Sequence, residues 1–189
     1  MRNRTIVLIL LACFLFYLVN SVTEDSDEDT LSLAGSRINQ SFDYYMTLVD
    51  STQFNTAGES DYRLQADRIV HYPAPEFAIL DSPRLLIYDG QSGPWFLSAA
   101  YGTIRQDFER GEESLELSEN VVVQHTDNEG RTHNIYTNEL TIYLSSRFLT
   151  TESEILLESP NLEISSLGMT ADLNTKHITF LSEVRGRYD

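Results

Sequence analysis

Apolar and polar residues alternate one for one through much of this chain, and the alternation keeps returning. In "YRLQADRIVHY" (62–72), Tyr62, Leu64 and Ala66 are set against Arg63, Gln65 and Asp67. A period of two belongs to a half-buried β-strand. "WFLSAAYGTI" (95–104), "IYTNELTIYL" (135–144) and "LGMTADLNTKHI" (167–178) repeat the theme. Aligned on Leu64, Leu97, Tyr136 and Met169, the units are spaced by 33, 39 and 33 residues. Such a period predicts stacked β-modules, each with about four short strands. No segment after residue 24 sustains a 3.6-residue period, so the expected body is all-β.

Each unit carries a second apolar segment: "FAILDSPRLLIYD" (77–89), "LELSENVVVQH" (115–125), "FLTTESEILLE" (148–158) and "ITFLSEVRG" (178–186). In the last three a short polar run interrupts the alternation. "LSENV", "TESEI" and "LSEV" align at Val121, Ile155 and Val184. These interruptions are expected to be corners, where a strand bends from one sheet into another. "DGQSG" (89–93) and "TDNEG" (126–130) supply hairpin turns, and "NTAGES" (55–60) separates a first strand around Tyr44, Met46 and Leu48 from the second.

Alternation also drafts the inward face: Tyr62, Leu64, Ala66, Phe77, Ile79, Leu85, Ile87, Leu97, Leu115, Leu117, Val121, Val123, Ile135, Ile142, Ile155, Leu157, Leu162, Ile164, Met169, Ile178 and Phe180. Two readings of this face are open. It is the packed core that any sandwich needs. Alternatively, two sheets that do not close along one side leave a long apolar groove, suited to lipid tails at about 0.8 kcal/mol per buried CH₂. Open strand edges at the ends of such a body either need protection or pair with another protein's strand.

The N-terminus differs in kind. "MRNRTIVLILLACFLFYLVNSV" holds two arginines and then no charge from Thr5 to Val22. As a helix, that run spans about 27 Å, near the hydrocarbon thickness of a bilayer. Arginines on the short N-terminal side favour a cytoplasmic N-terminus. A cleaved signal peptide fits less well, because "YLVNSV" is a poor cleavage site. "LLAC" (10–13) resembles a lipobox, yet "FLFYLV" continues the apolar run beyond Cys13. The expected organisation is a transmembrane anchor over 1–22, a flexible acidic linker over 23–40 and a β-domain over 41–189.

Charge and chemistry narrow the function. Arg2 and Arg4 are the only charges before Glu24, so the remainder holds 11 basic and 29 acidic residues, a net charge of −18. Such a surface repels nucleic acid. There is a single lysine, Lys176, and a single cysteine, Cys13, so the body has no disulfide. His71, His125, His133 and His177 are spread over different strands and are expected at surfaces or strand edges. His125 and His133 flank a turn and could pair, but two histidines make a poor metal site. No nucleophile elbow, phosphate loop or dinucleotide fingerprint is present. The expectation is a non-enzyme without a cofactor.

A single N-terminal apolar helix, an acidic tether and an all-β repeat body together resemble the LptC family. The residues that carry the resemblance are "YRLQADRIVHY", "DSPRLLIYD", "PWFLSAAYGTI", "LELSENVVV", "YTNELTI", "TTESEILLESPNLEI" and "GMTADLN", in that order. The resemblance implies a bitopic inner-membrane protein whose periplasmic domain is a twisted open β-jellyroll like that of LptA. It implies that an apolar interior receives lipopolysaccharide from an inner-membrane ABC transporter, met through the transmembrane helix and the N-terminal edge. The lipid then passes to the soluble periplasmic protein LptA at the C-terminal edge. On this reading Leu64, Ala66, Phe77, Ile79, Leu97, Leu115, Leu117, Val121, Val123, Ile135, Ile142, Ile155, Leu157, Leu162, Ile164, Met169 and Phe180 touch lipid. Ile178, Phe180 and Val184 belong to the docking edge. Energy comes from the partner ATPase, since this chain has no nucleotide motif. The rival reading is a membrane-anchored adaptor whose closed sandwich scaffolds partners without lipid. A carbohydrate-binding sandwich ranks last, because Trp95 is the only tryptophan.

Overall fold

The computed structural model describes residues 42–90 and 93–188. The expected anchor (1–22) and linker (23–40) lie outside the described residues. The described residues form β1 (Tyr44–Phe54), β2 (Ser60–Pro73), β3 (Glu76–Asp81), β4 (Arg84–Ile87), β5 (Trp95–Ser98) and β6 (Tyr101–Asp107). There follow β7 (Glu112–Thr126), β8 (Thr132–Tyr143), β9 (Phe148–Ser159), β10 (Leu162–Asp172) and β11 (His177–Tyr188). The body is all-β, and its pairings are all antiparallel.

One sheet holds all eleven strands, in the order β11-β10-β9-β8-β7-β5-β4-β2-β3-β6, with β1 added on β2 and β6 returning to pair with β7. That double connection shows the sheet to be folded. The first half of β2 pairs with β4 through Tyr62–Gln65, and its second half pairs with β3 through Arg68–Pro73. β7 does the same, with β6 through Glu112–Ser118 and with β5 through Val122–His125. The long strands therefore run through two half-sheets, one completed by β4 and β5, the other by β3 and β6. In the last two units the four expected segments are two long strands, β8 with β9 and β10 with β11, each bent near its middle; in the first two, one long strand is joined by two short ones, β3 and β4 or β5 and β6.

The corners fall where the alternation breaks. In β7, Glu119 and Asn120 both take positive φ, and the β7–β8 register jumps between Ser118 and Val121. β9 skips Glu152 and Ser153 in its pairing with β10, and Glu183 takes positive φ in β11. These are the polar residues of "LSENV", "TESEI" and "LSEV". A strand with period two loses its inward face whenever one residue is added. Here the added residues serve the bend. β8 buries Ile135 on one side of its corner and Leu140 and Ile142 on the other, so its inward positions change from odd to even. β10 turns from Ser166 to Met169 and Ala171 in the same way, with Gly168 between them at a φ of 78°.

Both half-sheets feed one apolar cluster. Leu80, Leu97, Leu115, Ile142 and Met169 have no exposed surface. The drafted face is largely this cluster, but β3 is reversed. Leu80 and Ala78 face the cluster, whereas Phe77 and Ile79 are half-buried on the other side, where Phe77 stacks on Tyr72 at 4.7 Å. "FAIL" is apolar at four consecutive positions, so alternation cannot tell its two faces apart. Leu162, at the start of β10, is 37% exposed and also lies outside the cluster.

Two substitutions test this arrangement. Ile142→Ala should cost about 2–5 kcal/mol, because the methyls it removes sit at complete burial. Gly168→Ala should cost about 1–3 kcal/mol, from a left-handed backbone and a Cβ only 2.9 Å from Leu181 Cδ1 and 3.2 Å from Thr151 O. Thermal melts of both variants should show these losses. An unchanged melt for Gly168→Ala would contradict the bend at that position.

Candidate functional site

The candidate site is the apolar interior between the half-sheets, together with its mouth on the side away from the corners. Leu64, Ala66, Leu97, Leu115, Leu117, Val121, Val123, Ile135, Ile142, Ile155, Leu157 and Met169 all belong to the buried cluster. Ile164, Ile178 and Phe180 pack against it half-buried. Of the expected lipid-facing residues, Phe77, Ile79 and Leu162 are not brought to this interior. Along the cluster the side chains are closely packed, and an acyl chain has room there only if they move.

Space opens toward the mouth. A hollow of about 280 Å³ is lined by Trp95, Val123, Ile135 and Leu157 of one half-sheet and by Lys176 and Ile178 of the other, with His125, Asp127 and His133 on its rim. That volume lies near the lower end of ordinary ligand cavities, at about 300 Å³. His125 overturns the expectation of a surface or edge histidine. It is 8% exposed and stacks on Trp95 at 4.2 Å and 11°. The reason is parity: His125 follows Val121 and Val123 on the inward face of β7. It stands opposite His133 in the β7–β8 register, as the flanking turn predicts.

The rim is polar and ordered. Asp127 Oδ1 accepts the backbone N–H groups of Glu129 at 2.9 Å and Arg131 at 3.0 Å. Its Oδ2 accepts Arg131 Nε at 2.8 Å and lies 3.4 Å from His133 Nε2. His133 Nδ1 is 2.5 Å from Ser159 Oγ. Burial pushes the Asp127 carboxyl up, but the Arg131 backbone N–H, the Arg131 guanidinium and His133 outweigh it and hold the group well below the usual range. Among the described residues no three His, Cys, Asp or Glu side chains converge to hold a metal ion.

Charged side chains also span the mouth itself. Arg147, in the turn after β8, donates through Nη2 to Asp61 Oδ1 at the start of β2. Lys176 Nζ, in the turn after β10, lies 3.5 Å from Asp89 Oδ2 just beyond β4. Neither contact follows a strand ladder, so each joins one half-sheet to the other across the gap. Tyr62 lies near the same place. Burial raises its phenol, and the charges of Glu113 and Asp61 add to the rise. Sequence reasoning missed Asp61, Asp89 and Arg147. Of these lip residues only Lys176 stood out, as the single lysine.

The two ends of the sheet differ from the interior. β1 and β11 each have one strand neighbour among the described residues. Tyr45, Met46, Leu48 and Phe54 on β1 are exposed, as are Leu181, Val184 and Tyr188 on β11. Val184 lies exposed on the terminal strand β11, whose Ile178 and Phe180 pack against the cluster.

Acidification should read out the rim. A carboxyl depressed by folding adds stability above its ordinary value of 3.8, and that stability is lost as pH falls toward the folded value. Asp127→Asn should therefore lower the melting temperature at pH 7 and flatten its fall below about pH 4. An acid profile identical to that of the unmodified chain would contradict the rim as described.

Comparison with known proteins gives two matches. Residues 6–189 match the LptC family, described as "Lipopolysaccharide-assembly, LptC-related". The chain is also 23% identical over 201 residues to the lipopolysaccharide export system protein LptC of Haemophilus influenzae, covering 97% of this chain and 91% of the relative.

Proposed function

This chain belongs to the LptC-related lipopolysaccharide-assembly family, and from that membership we propose that its folded sheet carries lipopolysaccharide by its acyl chains. The observation that supports this most is one continuous apolar interior, built from both half-sheets, with an end strand on either side still able to pair. Acyl chains enter that interior from the inner-membrane ABC transporter. They leave toward LptA, a periplasmic protein of the same jellyroll kind. The β1 edge faces the transporter and the β11 edge, with Val184, faces LptA, each able to extend the sheet by backbone hydrogen bonds. Residues 1–22 anchor the chain in the inner membrane as a single span, N-terminus inside, and residues 23–40 tether the periplasmic body. The chain performs no chemistry, and ATP hydrolysis by the transporter drives the transfer.

The packed interior favours a second reading, a closed sandwich that scaffolds partners without lipid. Photocrosslinking in cells separates the two. A photoreactive amino acid is placed singly at Leu157, Ile178 or Phe180, with the exposed positions Gln124 and Glu158 as controls. The carrier reading predicts lipopolysaccharide adducts at the three inner positions, absent at the controls and lost when the transporter cannot hydrolyse ATP. Folded variants that give no adduct at any inner position would leave the adaptor reading standing.

A further inference from the structure

The mouth of the folded sheet is lined by acid on both lips. Asp61 and Asp89 lie on one, Glu112 and Glu113 on the other, in a body (41–189) of 10 basic and 24 acidic residues, a net charge of −14. Like charges facing each other would hold the lips apart. Arg147 and Lys176 reverse that sign at two points. Each reaches from the half-sheet of β3 and β6 to a carboxylate on the half-sheet of β4 and β5.

We propose that Arg147–Asp61 and Lys176–Asp89 form a two-point clasp that holds the mouth shut, and that its release admits an acyl chain. The gating role rests on the carrier reading above; the closure itself does not.

Three features support the clasp. The pairs are placed where they control access, since Lys176 itself lines the hollow that contains Trp95 and Ile178. They have the strength of a latch rather than a lock. The Arg147 and Asp61 side chains are 24% and 27% exposed, Lys176 and Asp89 42% and 20%, and such partly solvated pairs bias an equilibrium without fixing it. The fold also supplies a hinge opposite. Along the corners the ladder is interrupted in β7, β8, β9, β10 and β11, so fewer backbone bonds resist a change of angle between the half-sheets.

Trp95 is the only tryptophan, and it lines the hollow, so the chain carries its own reporter. The full chain, held in lipid nanodiscs, is mixed with a brominated fatty acid, and quenching of Trp95 fluorescence is followed in time. In parallel, spin labels at the exposed turn positions Thr56 and Ser145 report the distance between the lips by pulsed electron paramagnetic resonance. The variant Asp61→Asn/Asp89→Asn removes the clasp. The exchange Asp61→Arg/Arg147→Asp rebuilds one pair with its charges reversed. The clasp predicts longer lip distances and roughly three- to tenfold faster quenching in the neutralised variant. It predicts lip distances and quenching near those of the unmodified chain in the exchanged one. Unchanged distances and unchanged quenching in a folded, neutralised variant would overturn it. If the lips open but Trp95 stays unquenched in every protein, lip closure by Arg147 and Lys176 is upheld. The carrier reading, and with it the clasp's role as a gate, is then overturned.

Discussion

A strand that turns a corner must decide what becomes of its inward face, and this structure depends on how that is done. With a side-chain period of two, an extended strand can keep one face apolar only while it runs straight. Here the long strands cross a bend and still present apolar residues to one interior on both sides. β8 and β10 do so by shifting from one parity to the other, and β7 by inserting two residues of positive φ. The result is a sheet folded over its own apolar face, rather than two separate sheets packed together. The half-sheets are linked by continuous backbone along the corner and by side chains elsewhere, so one margin can hinge and the other can part.

That asymmetry connects the packing to the function we propose. A closed sandwich would bury the same leucines and isoleucines, and burial alone does not separate a core from a conduit. The difference lies at the margins. β1 and β11 end the sheet with exposed apolar side chains and one strand neighbour each among the described residues, a state that isolated proteins ordinarily blunt. The opposite lips meet through partly exposed ion pairs instead of a ladder. Both features suit a body that joins others of its kind and opens to a cargo.

Much of the strand pattern was legible in the sequence, because period-two alternation reports a half-buried surface directly. The corners were legible too, since Glu119, Asn120, Glu152, Ser153 and Glu183 interrupt apolar runs with residues that gain nothing from burial. Phe77 and Ile79 were assigned to the wrong face because Ala78 and Leu80 are apolar as well, leaving no contrast to read. The expectation of a surface or strand-edge position fails for His125, which continues the series Val121, Val123; its partner, Trp95, lies 30 residues away and only the fold brings them together. The ion pairs across the mouth were invisible for the same reason. Asp61 and Arg147 are separated by 86 residues, and nothing local marks two charges as neighbours over that distance.

In the carrier we propose, the interior of the folded sheet, not its outer surface, receives an acyl chain. Methyl-resolved nuclear magnetic resonance with a spin-labelled acyl chain on lipopolysaccharide tests it along a single strand. Ile155 and Leu157 face the interior on β9, and Leu156 between them faces outward. A chain held inside should strongly broaden the Ile155 and Leu157 methyls and leave Leu156 nearly unchanged. Broadening of Leu156 with sharp Ile155 and Leu157 signals would put the lipid on the outside of the sheet and rule out an interior route.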